Sequence, residues 1–219
     1  MTLKQLIQET VQRELRRLLE DMEQGFSFDE LMQCSDIDQA KEYLDSHLEK
    51  AGEGSHRITY GLDETRVIKL VKNNILQNAQ EARNSRCMSR KYVVRVFEKH
   101  PEFWWIVVER VQKLSLQEFI TEFERRVKTT IPAAAYKQGE QALEEKQARI
   151  MMAIEYGADA TNPHQFDEHN EWMKTSAWYR GLIASLRKCQ VQADDFHSNN
   201  WGLRPGTNEL VLLDLGFAE

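Results

Sequence analysis

Apolar positions change their spacing along the chain, and the changes mark out its elements. Leu3, Leu6, Ile7, Val11, Leu15, Leu18, Leu19 and Met22 recur at three- and four-residue steps, which predicts an amphipathic helix ending near Gly25. Ser27-Phe28-Asp29-Glu30 fits a capping box, and Ser35-Asp36-Ile37-Asp38 opens another helix through about Lys50. Gly52 and Gly54, within Ala51 to Ser55, break that helix, and strand character begins at Ile58-Thr59-Tyr60. A turn over Gly61-Leu62-Asp63-Glu64-Thr65 then leads into Arg66-Val67-Ile68-Lys69-Leu70-Val71, so a β-hairpin is expected. Asn73-Asn74 turns into a helix that carries Glu81. Tyr92 to Phe97 and Trp104 to Val111 read as two further strands joined at His100-Pro101. Helical spacing returns over 116–127 (Leu116, Phe119, Ile120, Phe123 and Val127 on one face), over 138–156 and over 172–189, with a loop at 157–163. A turn at Arg204 to Asn208 feeds the apolar run Leu210 to Leu213, which ends on Asp214. The pattern predicts an α+β fold: a mostly antiparallel sheet carrying one helix, between helical segments.

Composition adds bounds. The 219 residues suffice for one substantial core or for two small lobes sharing a cleft, with 41% hydrophobic and 29% charged residues. The net charge of −6 gives no general attraction to nucleic acid or to an anionic membrane. No stretch approaches the ~18 consecutive apolar residues of a membrane span, and the first residues carry no apolar signal core. Cys34, Cys87 and Cys189 lie far apart without metal spacing, which suits reduced thiols in a cytoplasmic protein.

The candidate chemistry sits in two places. Lys69 lies on the opposite face of its strand from Ile68 and Leu70; unless it snorkels from an edge strand, a lysine flanked by apolar residues there needs a reason. A phosphate supplies one, and Glu81 on the following helix is the carboxylate that would hold the ammonium in place. Near the end, Asp195 is followed five residues later by Asn200, and the 204–208 turn returns the chain to Asp214. One carboxylate to act on a nucleophile's proton, with an amide and a second carboxylate to hold Mg²⁺, are the parts that phosphoryl transfer from a nucleotide requires.

These residues resemble the protein-kinase-like superfamily. Val67-Ile68-Lys69 looks like its lysine strand, Glu81 like the ion-pair partner, and Trp105 to Val111 like the strand entering the hinge. Asp195-Phe196-His197-Ser198-Asn199-Asn200 resembles the catalytic loop in its D-x-H-x-x-N form, and Asp214-Leu215-Gly216 the metal-binding Asp-x-Gly. More narrowly, Gly54-Ser55-x-Arg57-x-x-Tyr60, Lys72-Asn73, Gln77-Asn78, Trp105 to Glu109 and Asn200-Trp201-Gly202 resemble small kinase-like proteins of bacteriophages and bacteria. The resemblance implies a two-lobed minimal kinase-like fold. Its parts would be an N-terminal helical segment (1–50), a sheet-based N-lobe (51–111) and a reduced helical C-lobe (112–219). It implies ATP and Mg²⁺ as cofactors, with Lys69 on the phosphates and Glu81 orienting it. Asp195 would act on the acceptor, Asn200 and Asp214 on the metal, Gly54 and Ser55 would cover the phosphates, and Glu109 to Val111 would meet adenine. A protein hydroxyl is the expected acceptor, in the cytoplasm, or the host cytoplasm if the chain is phage-encoded. The rival readings are a pseudokinase or phage-type effector that binds a host protein, and a small-molecule kinase.

The sequence also departs from the pattern. Gly52-Glu53-Gly54-Ser55 supplies only part of a glycine-rich loop, Gln192-Ala193-Asp194 precedes Asp195, and three residues follow Gly216, so no activation segment is expected. Asp194 suits a capping or neighbouring role, and His197 a bracing one. His164 and His169 are spaced poorly for one helical face and read as a solvated loop rather than a zinc site. Arg13, Arg16 and Arg17 suit either a docking surface or a solvated face on helices packed against the body.

Overall fold

The computed structural model describes residues 25–131, 133, 137–158, 175–191 and 196–214. The first expected helix with its arginines, His164, His169, Asp194, Asp195 and Gly216 all lie outside them. Helices α1 (Phe28–Gln33) and α2 (Ile37–His47) come first, followed by strands β1 (Lys50–Glu53), β2 (Arg57–Gly61) and β3 (Arg66–Val71). Helix α3 (Ile75–Cys87), β4 (Val96–Lys99), β5 (Trp105–Glu109) and β6 (Gln112–Lys113) come next. Helices α4 (Leu116–Val127), α5 (Gly139–Ala158) and α6 (Ala177–Cys189) then lead to β7 (Trp201–Leu203) and β8 (Leu210–Leu212). The fold is mixed α+β. A five-stranded antiparallel sheet runs β1-β2-β3-β5-β4, and a small antiparallel sheet runs β6-β7-β8.

Side chains alternate across the large sheet, so each face has its own partners. Ile58, Tyr60, Ile68, Leu70, Trp105 and Val107 point to one face, where Phe26, Leu31, Ala40, Leu44 and Leu48 bury them. The residues around α1 and α2 therefore share a core with the sheet. Their caps follow the sequence: Ser27 Oγ accepts from the Glu30 amide, and Asp36 from Gln39 at 2.8 Å. Val67, Ile106 and Val108 point to the opposite face. Register pairs Thr59 with Lys69, Arg57 with Val71 and Lys69 with Ile106, which puts Arg57 and Lys69 on this second face as well.

A separate core holds α4, α5 and α6 together with Met88, Tyr92, Val93, Phe196, Trp201, Leu210 and Leu212. The capping box of α4, with Ser115 and Glu118 bonded reciprocally, fixes where that helix starts.

Three expectations are corrected. The α2 pattern stops at His47, and Lys50–Glu53 forms a strand, because these residues pair with β2 even though their composition reads as a turn. Tyr92 to Val94 is not part of β4. The Leu212 amide donates to the Tyr92 carbonyl (2.9 Å) and the Val94 amide to the Leu212 carbonyl (3.0 Å), tying the segment to β8. Cys87 and Cys189 form a disulfide, which corrects the expectation of three reduced thiols. The ends of α3 and α6 meet with the Cα atoms of the two cysteines 5.6 Å apart, a proximity that a sequence separation of 102 conceals. Cys34 is a free thiol. No helix among the described residues is long and apolar enough to cross a membrane.

Candidate functional site

Helix α3 crosses the second face of the sheet and brings Glu81 to Lys69. Asn74 caps the helix by accepting from the Leu76 amide. Asn78, fully buried, then bolts it down. Its Nδ2 donates to the carbonyls of Lys69 (3.2 Å), Phe103 (3.1 Å) and Trp104 (3.2 Å). One turn further on, Glu81 has no exposed surface, and both its oxygens accept from Lys69 Nζ, at 2.7 and 3.0 Å. Lys69 also donates to the Leu213 carbonyl at 2.5 Å. The three protons of the ammonium are thereby all engaged.

A third charged group completes the cluster. Arg57, 7% exposed, donates to Glu81 at 2.5 Å, to Asn78 Oδ1 at 3.4 Å and to the carboxylate of Asp214. Burial alone would lower the Arg57 pKa, but the carboxylates of Glu81 and Asp214 outweigh it and hold the guanidinium above its ordinary value. Two cations and two carboxylates thus balance in one buried cluster. The tail of β8 closes it twice, with the Leu213 carbonyl on Lys69 and Asp214 on Arg57. Asp214 is one-third exposed, so its carboxylate borders solvent.

Asn200 reaches the cluster through the backbone. It ends a 3-10 turn (Ser198–Asn200) in which its amide donates to the His197 carbonyl (3.0 Å), a bond of the backbone alone. The Leu213 amide then donates to the Asn200 carbonyl at 2.9 Å. From below, Gln147 of α5 accepts from the Ser198 amide at 3.0 Å, and the Trp201 indole donates to the Phe196 carbonyl at 3.2 Å. An amide side chain and a carboxylate are oxygen donors of the kind Mg²⁺ takes, so Asn200 and Asp214 suit such an ion chemically. Among the described residues, no three His, Cys, Asp or Glu side chains gather as a metal cluster.

The remaining candidates are less available. Gly54 and Ser55 form the exposed tip of the β1–β2 hairpin. Gly54 is engaged within it, its amide donating to the Arg57 carbonyl (2.9 Å) and its carbonyl accepting from Lys72 Nζ (2.8 Å). At the end of β5 the Glu109 amide donates to the Arg95 carbonyl (2.9 Å) and the Arg110 amide to that of Thr65 (2.7 Å), so neither amide is open to a nucleobase. The Glu109 side chain accepts from Arg204 at 2.7 and 3.0 Å. Arg204 also donates to the carbonyls of Arg90 (2.9 Å) and Val93 (3.1 Å), clamping the β7–β8 hairpin to the sheet. Val111 packs against Gly202, where an added Cβ would lie 2.6 Å from its Cγ2 and 2.8 Å from the Gln112 carbonyl oxygen.

Lys69, Glu81 and Asp214 therefore lie in one cluster with Arg57, Asn200 is joined to it through its backbone, and Gly54 and Glu109 are committed to structure. Arg57, Asn78 and Arg204 were not read as site residues. The signal for Arg57 was present: the hairpin register places it on the Lys69 face. Compared with protein-family models and with curated proteins, the chain matches none.

Proposed function

We propose that the protein is an ATP- and Mg²⁺-dependent phosphotransferase of the protein-kinase-like class, with a protein hydroxyl as acceptor. The single observation that carries the reading is the Lys69–Glu81 pair at 2.7 Å, on the sheet face that Asp214 borders. A two-lobed kinase-like arrangement is part of the proposal. It is supported by the strand order β1-β2-β3-β5-β4 with a single helix between β3 and β4, and by a separate helical core.

In this reading Lys69 neutralises phosphate oxygens while Glu81 fixes the ammonium, work that is positional and electrostatic rather than covalent. Asn200 and Asp214 would hold Mg²⁺, which when bound supplies charge neutralisation across the phosphates. Asp195 would orient the acceptor hydroxyl and take its proton. Adenine would meet carbonyls at the end of β5 and Val111, since the Glu109 and Arg110 amides are engaged. Cytoplasmic placement belongs to the same proposal. It requires Cys87 and Cys189 to be reduced in the cell, because disulfides persist in oxidising compartments.

The test is calorimetric titration of ATP with and without Mg²⁺, on wild type and on Asp214→Asn, followed by transfer of labelled γ-phosphate to the protein itself. Mg²⁺-dependent binding that Asp214→Asn loses is the expected result. No binding at millimolar ATP would overturn the reading. The Arg57–Asp214 contact favours a second reading, a pseudokinase or effector that binds a host protein without nucleotide, since it already satisfies the metal-binding carboxylate. Unchanged partner binding by Asp195→Asn would support that alternative.

A further inference from the structure

Arg57 has no part in the scheme above, yet it is the most buried cation of the cluster and touches both of its carboxylates. The four side chains Arg57, Lys69, Glu81 and Asp214 sum to zero charge. A divalent cation arriving alone at Asp214 would have to compete with the guanidinium for the carboxylate and then sit beside that positive charge at the edge of the cluster, with no new anion to compensate. A nucleotide polyphosphate changes that balance, because it brings anionic oxygens for both Arg57 and Lys69. A guanidinium fork suits those oxygens as well as it suits a carboxylate. The Lys69–Leu213 bond points the same way: this ammonium too is occupied by the tail of β8 and is released only in exchange for another acceptor.

We propose that Arg57 enforces an order on this site: polyphosphate first, divalent cation second. The inference rests on the nucleotide-site reading and names the residue that regulates it. Arg57 holds Asp214 in the nucleotide-free protein and denies it to free metal. It gives Asp214 up when phosphate oxygens offer the guanidinium an equivalent partner. Free divalent cation is thereby excluded, and metal enters only with its substrate.

The experiment uses Mn²⁺, which shares the oxygen-donor preference of Mg²⁺ and is read by electron paramagnetic resonance without any turnover. Wild type, Arg57→Met and Arg57→Lys are titrated with Mn²⁺ alone and with a non-hydrolysable ATP analogue. Wild type should show site-bound Mn²⁺ only with the nucleotide. Arg57→Met should bind Mn²⁺ alone, with affinity raised by roughly tenfold or more, the low end of the coupling found for close charge pairs. Arg57→Lys, whose ammonium cannot bridge both carboxylates as a fork does, should fall between. Equal Mn²⁺ binding by wild type and Arg57→Met, with nucleotide binding intact, overturns the ordering alone. Absence of nucleotide binding in every protein, with or without metal, overturns the underlying reading and the ordering with it. Should Arg57→Met fail to fold by circular dichroism, the Arg57 Nε–H resonance of wild type decides. It should shift with the metal–nucleotide complex and stay fixed with Mg²⁺ alone, and the reverse pattern would overturn the proposal.

Discussion

Replacing Glu81 by glutamine is the most direct probe of the buried cluster. The substitution keeps size and shape but removes a carboxylate charge that faces both Lys69 (2.7 Å) and Arg57 (2.5 Å). The two cations then share a neutral amide, and keep the Leu213 carbonyl, Asp214 and Asn78 Oδ1 as acceptors. Taking one partner from a buried ion pair costs roughly 3–5 kcal/mol, because the charge left behind stays desolvated. The side chains of Lys69 and Arg57 are only 12% and 8% exposed, so water restores little. The retained acceptors place the expected loss near the low end, about 3 kcal/mol. In a chain of this length that lowers the melting temperature by about 6–12 °C.

Lys69→Met supplies the control, since it leaves the Arg57–Glu81 pair intact and removes one of the stranded cations. In the double variant Glu81→Gln/Lys69→Met the losses should not add. A coupling of about 1–3 kcal/mol is expected between residues in such direct contact. Urea denaturation of the four proteins gives the cycle. A Glu81→Gln loss below about 1 kcal/mol, or strict additivity, would mean that Glu81 does not balance both cations and would refute the charge accounting.

Other expectations follow from single features. Opening the Cys87–Cys189 bond, by reductant or by a double serine variant, frees a closure of 102 residues, and the chain-entropy model puts the loss at about 4–5 kcal/mol; oxidised and reduced proteins that melt together would rule this out. Gly202→Ala should cost about 1–3 kcal/mol, because its new Cβ meets the Gln112 carbonyl oxygen at 2.8 Å and backbone cannot rotate away. Gly61→Ala, with nothing closer than 3.8 Å, should stay within about 0.5 kcal/mol, and equal melting shifts for the two would count against the close-approach explanation. Burial pushes the Asp45 pKa up, but hydrogen bonds from Lys41, Tyr60 and Lys50 override it and bring the carboxyl from 3.8 down to about 2. A folded value below the unfolded one gives stability that is present above the unfolded pKa and is lost as pH falls from about 4 to about 2. Asp45→Asn should flatten that acid limb in a stability–pH series, and an unaltered limb would refute the assignment.

How far the sequence could be read depended on whether each signal was local. Lys69 stood out as a charge flanked on both sides by apolar strand residues, and its face followed from period-two alternation alone. Glu81 followed from its place on the next helix. The β1 strand was hidden because its side chains are almost all exposed, so there was no alternation to see, and two glycines argued for a turn. Tyr92 to Val94 has strand composition, yet nothing local says that its backbone pairs with Leu212 instead of extending β4. Arg57 divides the same way. Its face could be worked out from the hairpin register, whereas its bond to Asp214 spans 157 positions and depends on how the helical core meets the sheet.

The anchoring of α3 separates what is rigid in this site from what can change. Glu81 does not owe its position to the cations it binds. Asn78 ties the helix to three carbonyls one turn earlier, and Ser85 Oγ donates to the Val94 carbonyl (2.8 Å) while accepting from the Val96 amide (3.2 Å) one turn later. At its end Cys87 is joined to α6. The Lys69–Glu81 pair is therefore preorganised by packing, with its orientation already fixed before any ligand arrives. Asp214 is held differently, through the Leu213 bonds to Asn200 and Lys69 and through its own contact with Arg57. A ligand that draws Arg57 and Lys69 onto its own oxygens removes two of those three holds and leaves the Asn200 bond as a pivot. Any change on binding is thus expected in the segment 213–214 and in the Arg57 side chain, with α3 and the sheet staying in place.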